Sequence, residues 1–147
     1  MVVGEVMNKN IQTISPDASI VEAAAKMRDG DFGVMPVMDG QNLVGMLTDR
    51  DIAIRVVAEG KDLQKCTVED VMTPEILTCN EDDDLEEIAQ MMADKQVRRL
   101  PVLDMNKKLV GIVSVGDLAI MDQDQAGEAL GGISEQRHDE PGAQLHQ

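Results

Sequence analysis

Aromatic side chains are all but missing from this chain: Phe32 stands alone, with no Trp or Tyr among 147 residues. An aromatic cage for a cation and a stacking platform for bases are therefore excluded, and a core must be built from Val, Ile, Leu, Ala and the eleven Met. Basic residues are also scarce, 13 Lys and Arg against 28 Asp and Glu, for a formal charge of −15. A protein that grips duplex nucleic acid neutralises phosphates with cations, so nucleic acid and anionic membrane are not expected partners. No run approaches the roughly 18 apolar residues of a membrane span. The opening Met1-Val-Val-Gly-Glu-Val-Met7 also has neither the basic nor the apolar stretch of a leader, and a cytoplasmic protein is expected. Cys66 and Cys79 form no CxxC pair, and His138 and His146 both fall in a polar tail, so the thiols read as structural and no metal site is expected. The length is that of about one domain, too short for a barrel enzyme of roughly 250 residues.

What the chain does contain is a copy of itself. A shift of 65 positions lays Val6-Met7 on Val71-Met72, Thr13 on Thr78, Asp17 on Asp82, Glu22 on Glu87, Met27 on Met92 and Pro36-Val37 on Pro101-Val102. One further residue, inserted near Asn106, brings Leu43-Val44-Gly45 onto Leu109-Val110-Gly111 and Asp51 onto Asp117. About 16 identities in about 45 pairs far exceed the roughly one in fifteen expected from composition. Two copies of a long unit suggest a duplicated half-domain whose apolar faces are buried against each other.

Each copy has the same local signals. Residues 12–14 read as a short extended piece closed by Pro16, and Ser19-Ile-Val-Glu22 reads as a capping box opening a helix. Ile20, Ala23, Ala24 and Met27 then recur at helical spacing. Leu85, Ile88, Ala89 and Met92 repeat it behind an expected Asp84 cap and Glu87. Residues 34–38 and 43–47 predict a hairpin across Asp39-Gly-Gln-Asn42, with 99–103 and 108–113 as its counterpart. A second helix opens at Thr48 and ends near Gly60, while its partner opens at Ser114 and fades after about Met121. The expected organisation is α/β (α+β): two βαββα half-domains at 3–60 and 67–121, a linker at 61–66, and a disordered tail at 122–147. The helix over 51–59 carries Ile52, Ala53, Ile54, Val56, Val57 and Ala58 on more than one face, which suggests a subunit interface. The acids Glu81-Asp-Asp-Asp-Leu-Glu-Glu87 read as a solvated helix start rather than a cation site.

The most informative repeated element ends each hairpin: Gly45-Met-Leu-Thr48-Asp-Arg-Asp51 and Gly111-Ile-Val-Ser114-Val-Gly-Asp117. The same spacing serves two purposes. Ser or Thr followed three residues later by an acid is a helix cap, worth about 0.5–2 kcal/mol at the cap residue. Equally, a hydroxyl and amides at a helix start can hold phosphate, while a carboxylate one turn in can accept from a ribose diol.

With these residues in view, the chain resembles a tandem pair of cystathionine β-synthase (CBS) domains over 3–121, and Thr48-Asp-Arg-Asp-Ile52 and Gln96-Val-Arg-Arg-Leu-Pro-Val102 are similar to phrases in small stand-alone bacterial members. The resemblance implies two sheets packed about a pseudo-twofold axis, two clefts for adenosine-containing ligands, and a homodimer joined through helices. Asp51 and Asp117 would accept from ribose hydroxyls, with Thr48 and Ser114 beside ribose or phosphate. Thr13, Ile14, Val34, Met35 and Pro36, and on the other side Thr78, Cys79, Leu100 and Pro101, would form the adenine slots. Arg98 and Arg99 would meet phosphate, or else serve as a basic strand edge. The first copy has Gly33-Val34 at that point and only Arg50 nearby, so unequal sites are expected.

The implied ligand is AMP, ADP, ATP or NAD, with S-adenosylmethionine ranked behind them, and the implied role is regulation of a separate target protein. The rival expectation is a ligand-free interaction dimer in which the Ser/Thr-x-x-Asp motifs only cap helices. No Gly-rich phosphate loop, Gly-x-Ser-x-Gly elbow, HExxH or histidine base is present, so catalysis is not expected.

Overall fold

The computed structural model describes residues 1–74 and 76–121; the expected disordered tail lies outside the described residues. The chain runs through a 3-10 turn at Val3–Glu5, α1 (Ile20–Gly30), β1 (Val34–Asp39), β2 (Asn42–Thr48) and α2 (Asp49–Ile52), then a π-helical turn at Ala53–Val57. It continues through α3 (Val68–Val71), β3 (Cys79–Asn80), α4 (Leu85–Lys95), β4 (Arg99–Leu103), β5 (Leu109–Ser114) and α5 (Val115–Met121). Helices mixed with antiparallel hairpins give the expected α+β class.

The duplication is visible in detail. Helix α1 buries Ile20, Ala23 and Met27, and α4 buries Leu85, Ile88, Ala89 and Met92, the stripes set by their spacing. Both helices end on a non-glycine residue in the left-handed region at aligned positions, Asp31 (φ 55) and Gln96 (φ 56). Each hairpin shifts register close to its turn, at aligned positions between Val37 and Met38 and between Val102 and Leu103. That repeated bulge seats Val37 opposite Gly45 and Val102 opposite Gly111.

The caps depart partly from expectation. The Ser19 hydroxyl accepts from the Glu22 amide at 3.0 Å, but Glu22 makes no return bond among the described residues. Asp84 occupies the cap position of α4 without a side-chain cap bond, and the first helical amide, that of Leu85, donates to the Met1 carbonyl at 3.0 Å. Helix α3 and the 3-10 turn lie outside the sequence expectations. The former is held at its start by Asp70 Oδ2, which accepts from the Thr67 amide at 3.0 Å and the Thr67 hydroxyl at 3.1 Å. These bonds hold the exposed Asp70 carboxyl below the usual carboxylate range.

The compact units do not follow the repeats. Among the described residues, one comprises Gln12–Ile76, and the other joins Met1–Ile11 to residues 77–121. In the 12–76 unit, Ile14 makes a parallel bridge to Val37 at one side of the hairpin, and Thr73 an antiparallel bridge to Met46 at the other. In its counterpart, β3 lies parallel to β4, and Asn8 bridges Ile112 on the far side of β5. The segment that opens each repeat thus finishes the sheet built by the other repeat. Each closing segment passes so near its sheet that a side chain cannot stand between. A Cβ at Gly45 would lie 2.8 Å from the Thr73 carbonyl oxygen and 2.7 Å from Met72 Sδ. At Gly111 it would lie 2.9 Å from the Asn8 oxygen and 2.7 Å from Met7 Sδ.

Each unit has its own core. The 12–76 unit packs Ile14, Ile20, Met35, Val37, Leu47, Val56, Cys66, Val68 and Val71 together. The other packs Val3, Leu85, Met92, Leu100, Val102, Val113 and Leu118 around Cys79. Each such aliphatic side chain is worth about 1.5–3 kcal/mol when fully buried. The linker expected at 61–66 ends inside a core, since Cys66 is buried with Val68 and Val71. On the helical stretch after Thr48, Val56 is buried while Ile54 and Val57 remain 47% and 67% exposed, so an apolar face is left outside the unit's own core.

Candidate functional site

The predicted polar residues gather at one end of each sheet. In the 12–76 unit, register sets Val34 opposite Thr48, and the parallel pairing of Ile14 with Val37 brings Thr13 alongside the same strand. In the second unit, Arg99 stands opposite Ser114, and Cys79 pairs with Val102, carrying Thr78 with it. The Gly33 carbonyl accepts from the Asp49 amide at 3.0 Å, and the Arg98 carbonyl accepts from the Val115 amide at 3.0 Å. Gly33 and Arg98 are therefore structurally equivalent, and the change from Gly-Val to Arg-Arg is a substitution on a shared scaffold. Arg99 also lies beyond the two residues of β4 paired with β3, at a strand end flanked by Ser114.

Both Ser/Thr-x-x-Asp motifs are closed capping boxes. The Thr48 amide donates to Asp51 Oδ2 at 3.0 Å, and the Asp51 amide donates back to Thr48 Oγ1 at 3.0 Å. The Ser114 amide donates to Asp117 Oδ2 at 2.9 Å, and the Asp117 amide to Ser114 Oγ at 3.2 Å. The amides of Asp51 and Asp117 are engaged in the boxes, which leaves fewer backbone donors for a phosphate at these helix starts and more of that work to side chains. What the boxes leave over is the second carboxylate oxygen of each Asp and the hydroxyl protons of Thr48 and Ser114. A carboxylate has lone pairs for several donors, so capping and ligand binding by one Asp are compatible.

Burial divides the remaining predicted residues. Ile14, Met35, Cys79 and Leu100 are 3%, 0%, 6% and 1% exposed, and their side chains belong to the two cores. Pro36 and Pro101 are buried as well. These six can line a cleft only through backbone or a narrow edge. Thr13, Thr78 and Arg50 are exposed, and Val34, Thr48, Asp51, Arg98, Arg99, Ser114 and Asp117 are half-buried. Burial, with the nearby Asp83 carboxylate second, pushes the Cys79 thiol up to about 12. A thiol so placed is neutral and not a nucleophile near pH 7.

Two cations escaped the sequence reasoning. Lys26 on α1 reaches the Thr13 carbonyl with Nζ at 3.5 Å. Arg55 donates from Nη1 to the carbonyls of Val71 at 2.8 Å and Met72 at 3.2 Å, and its Nη2 lies 4.0 Å from Asp51 Oδ1. A signal existed for both: the aligned positions of the second repeat are the uncharged Met91 and Met121. The acidic stretch before α4 is used as a turn, with Asp83 Oδ2 accepting from the Asn80 amide at 2.8 Å. Among the described residues, no three His, Cys, Asp or Glu side chains cluster as a metal site, and no helix is long and apolar enough to cross a membrane.

Comparison with known proteins agrees with this architecture. The CBS domain model matches residues 3–58 and 68–121. The CBS domain-containing protein YhcV of Bacillus subtilis is 46% identical over 136 residues, covering 91% of this chain and 96% of that one. Among solved structures, a CBS protein in complex with AMP is 29% identical with a TM-score of 0.72, covering 84% of this chain and 96% of its own. A CBS domain pair in complex with 5′-methylthioadenosine and S-adenosyl-L-methionine is 28% identical with a TM-score of 0.72, covering 85% and 98%. On two matched repeats and a full-length relative of this identity, the chain belongs to the CBS domain family.

Proposed function

We propose that this chain is a regulatory module that binds an adenosine-containing ligand at the sheet ends described above and acts on a separate target protein. The observation that carries it is the pair of aligned Asp residues, each with one oxygen left over from its capping box at a sheet end that also presents a Thr and an uneven set of cations. The solved relatives holding AMP, 5′-methylthioadenosine and S-adenosyl-L-methionine support the ligand class, since adenosine is common to all of them. Ribose hydroxyls would donate to Asp51 and Asp117, and phosphate would be met by Arg98 and Arg99 in one unit. AMP, ADP, ATP and NAD are the proposed ligands, with S-adenosylmethionine behind them. A switch of this kind has available only the difference in ligand affinity between its two states, typically a few kcal/mol. The exposed Ile54 and Val57 support a homodimer joined through helices, checked by sedimentation at micromolar concentration.

Thermal denaturation with each ligand tests this. At a hundredfold over its dissociation constant a bound ligand stabilises the fold by about 2.7 kcal/mol, a rise on the order of 5–15 °C at this size. No shift with any of the five would overturn the ligand assignment. In the alternative, the chain is a ligand-free interaction dimer. One observation favours that: the Asp70 carboxylate likewise caps the start of α3 by accepting from the Thr67 amide, at a position where the first repeat has Val2 and Glu5. Such a cap by itself is therefore no mark of a ligand site.

A further inference from the structure

The first repeat carries a pairing, Asp51 with Arg55, that capping does not require and that the second repeat does not encode, since Met121 aligns with Arg55. Asp51 Oδ2 is committed to the Thr48 amide, and Oδ1 faces Arg55 Nη2 at 4.0 Å. That separation is an ion-pair distance but too long for a hydrogen bond. The gap is not slack in a surface contact. Arg55 Nη1 is held by the Val71 and Met72 carbonyls at 2.8 and 3.2 Å, with Thr73 Oγ1 at 3.4 Å, so the guanidinium cannot close on Asp51 without giving up those bonds. The helix widens just there. The Ala58 amide donates to the Ala53 carbonyl, five residues back, at 2.9 Å, and such π-turns occur frequently at functional sites. Both side chains can be reached from solvent, Asp51 being 18% and Arg55 42% exposed.

A hydroxyl is the group that fits this gap, because it donates to a carboxylate and accepts from a guanidinium at once. An oxygen about 2.8 Å from two atoms that stand 4.0 Å apart sees them at about 90°, close to the arrangement of its proton and lone pairs. We propose that Asp51 Oδ1 and Arg55 Nη2 form a two-sided seat for one ribose hydroxyl, which makes Arg55 a specificity-determining residue of the first half-site. This rests on the adenosine-ligand assignment and goes beyond it. The aligned residue of the second repeat is Met121, whose thioether side chain has no N–H to donate, so the same two-sided seat cannot form from that pair of positions.

The test is calorimetric titration of AMP, 2′-deoxy-AMP and 3′-deoxy-AMP into the full chain carrying Asp117→Asn, which silences the second half-site, with and without Arg55→Met. The seat predicts that Arg55→Met weakens AMP roughly tenfold or more. It also predicts no change in affinity for the one deoxy analogue whose missing hydroxyl would have sat there. A merely structural role would weaken all three ligands by the same factor, and that result would overturn the proposal, as would equal AMP affinity with and without the substitution. Arg55→Lys guards against misfolding: it keeps the charge, cannot span the carbonyls and the seat together, and is expected to restore folding but not the hydroxyl preference. AMP binding by the parent chain that vanishes with Asp117→Asn alone would overturn the seat while leaving the ligand assignment standing. Failure of the parent chain itself to bind AMP would strike the assignment and the seat with it.

Discussion

The two units share a scaffold and differ in charge, and the difference shows which residues the fold requires. Gly45 and Gly111, Pro36 and Pro101, and the boxes at Thr48 and Ser114 recur because a closing segment, a buried strand and a helix start impose the same demands twice. The cations do not recur. The 12–76 unit has Lys26, Arg50 and Arg55 around its sheet end where its counterpart has Arg98 just before β4 and Arg99 as its first residue. Lys26 and Arg55 also bind backbone carbonyls, and in a chain of charge −15 a phosphate must find local cations inside a repelling field. The two ends are thus expected to be unequal receptors on equal scaffolds.

Substitutions at aligned positions can break or sharpen that comparison. The largest effect is expected from Met35→Ala and Leu100→Ala, which empty matching, fully buried core positions and should each cost about 2–5 kcal/mol in urea denaturation. Equal losses would support a common scaffold. A loss of ligand affinity without loss of stability would instead return these side chains to the binding cleft.

Gly45→Ala and Gly111→Ala come next, at about 1–3 kcal/mol each by the same measurement, since the new Cβ meets a backbone oxygen that must move. Gly45→Ala is expected to cost more, because the segment it strikes is also clamped by Arg55. A neutral result at both positions would leave the repeated glycine without a steric cause.

A smaller asymmetry is set by pH. Cys79 occupies the position of Ile14 and holds its thiol up to about 12 against an ordinary value of 9.0. The unfolded chain therefore loses this proton first, so the contribution to stability is full below pH 9 and declines as pH rises toward the folded value. Between pH 8 and 10 the parent chain should lose on the order of 1 kcal/mol more than Cys79→Val does, read from paired denaturation curves. Parallel pH profiles would contradict the buried neutral thiol.

Much of this was legible in the chain because it is written twice. Helical spacing located α1 and α4, turn residues located both hairpins, and the repeat singled out Asp51 and Asp117. The exchange of closing segments was not legible: Val6-Met7 and Val71-Met72 align with each other, but a local pattern does not say which sheet a strand will join. The same long-range approach is the reason for Gly45 and Gly111, so their motif could be seen without its cause. Strand alternation also failed to separate the polar ends of the half-sites from Ile14, Met35, Cys79 and Leu100, whose side chains turn into the cores. Arg55 and Lys26 were hidden because a repeat points to positions where its copies agree, and both stand where they differ.

The central claim is that one carboxylate in each unit both caps a helix and receives a ligand. Replacing Asp by Asn separates these duties, since the amide oxygen can still accept from the Thr48 or Ser114 amide while the charged acceptor is lost. The direct test is titration of AMP into the parent chain and into Asp51→Asn and Asp117→Asn, with thermal stability measured alongside. Each substitution is expected to weaken its own half-site roughly tenfold to a hundredfold while changing stability by less than about 1 kcal/mol. AMP affinity unaltered in both variants would contradict the account and leave the two aspartates as helix caps alone.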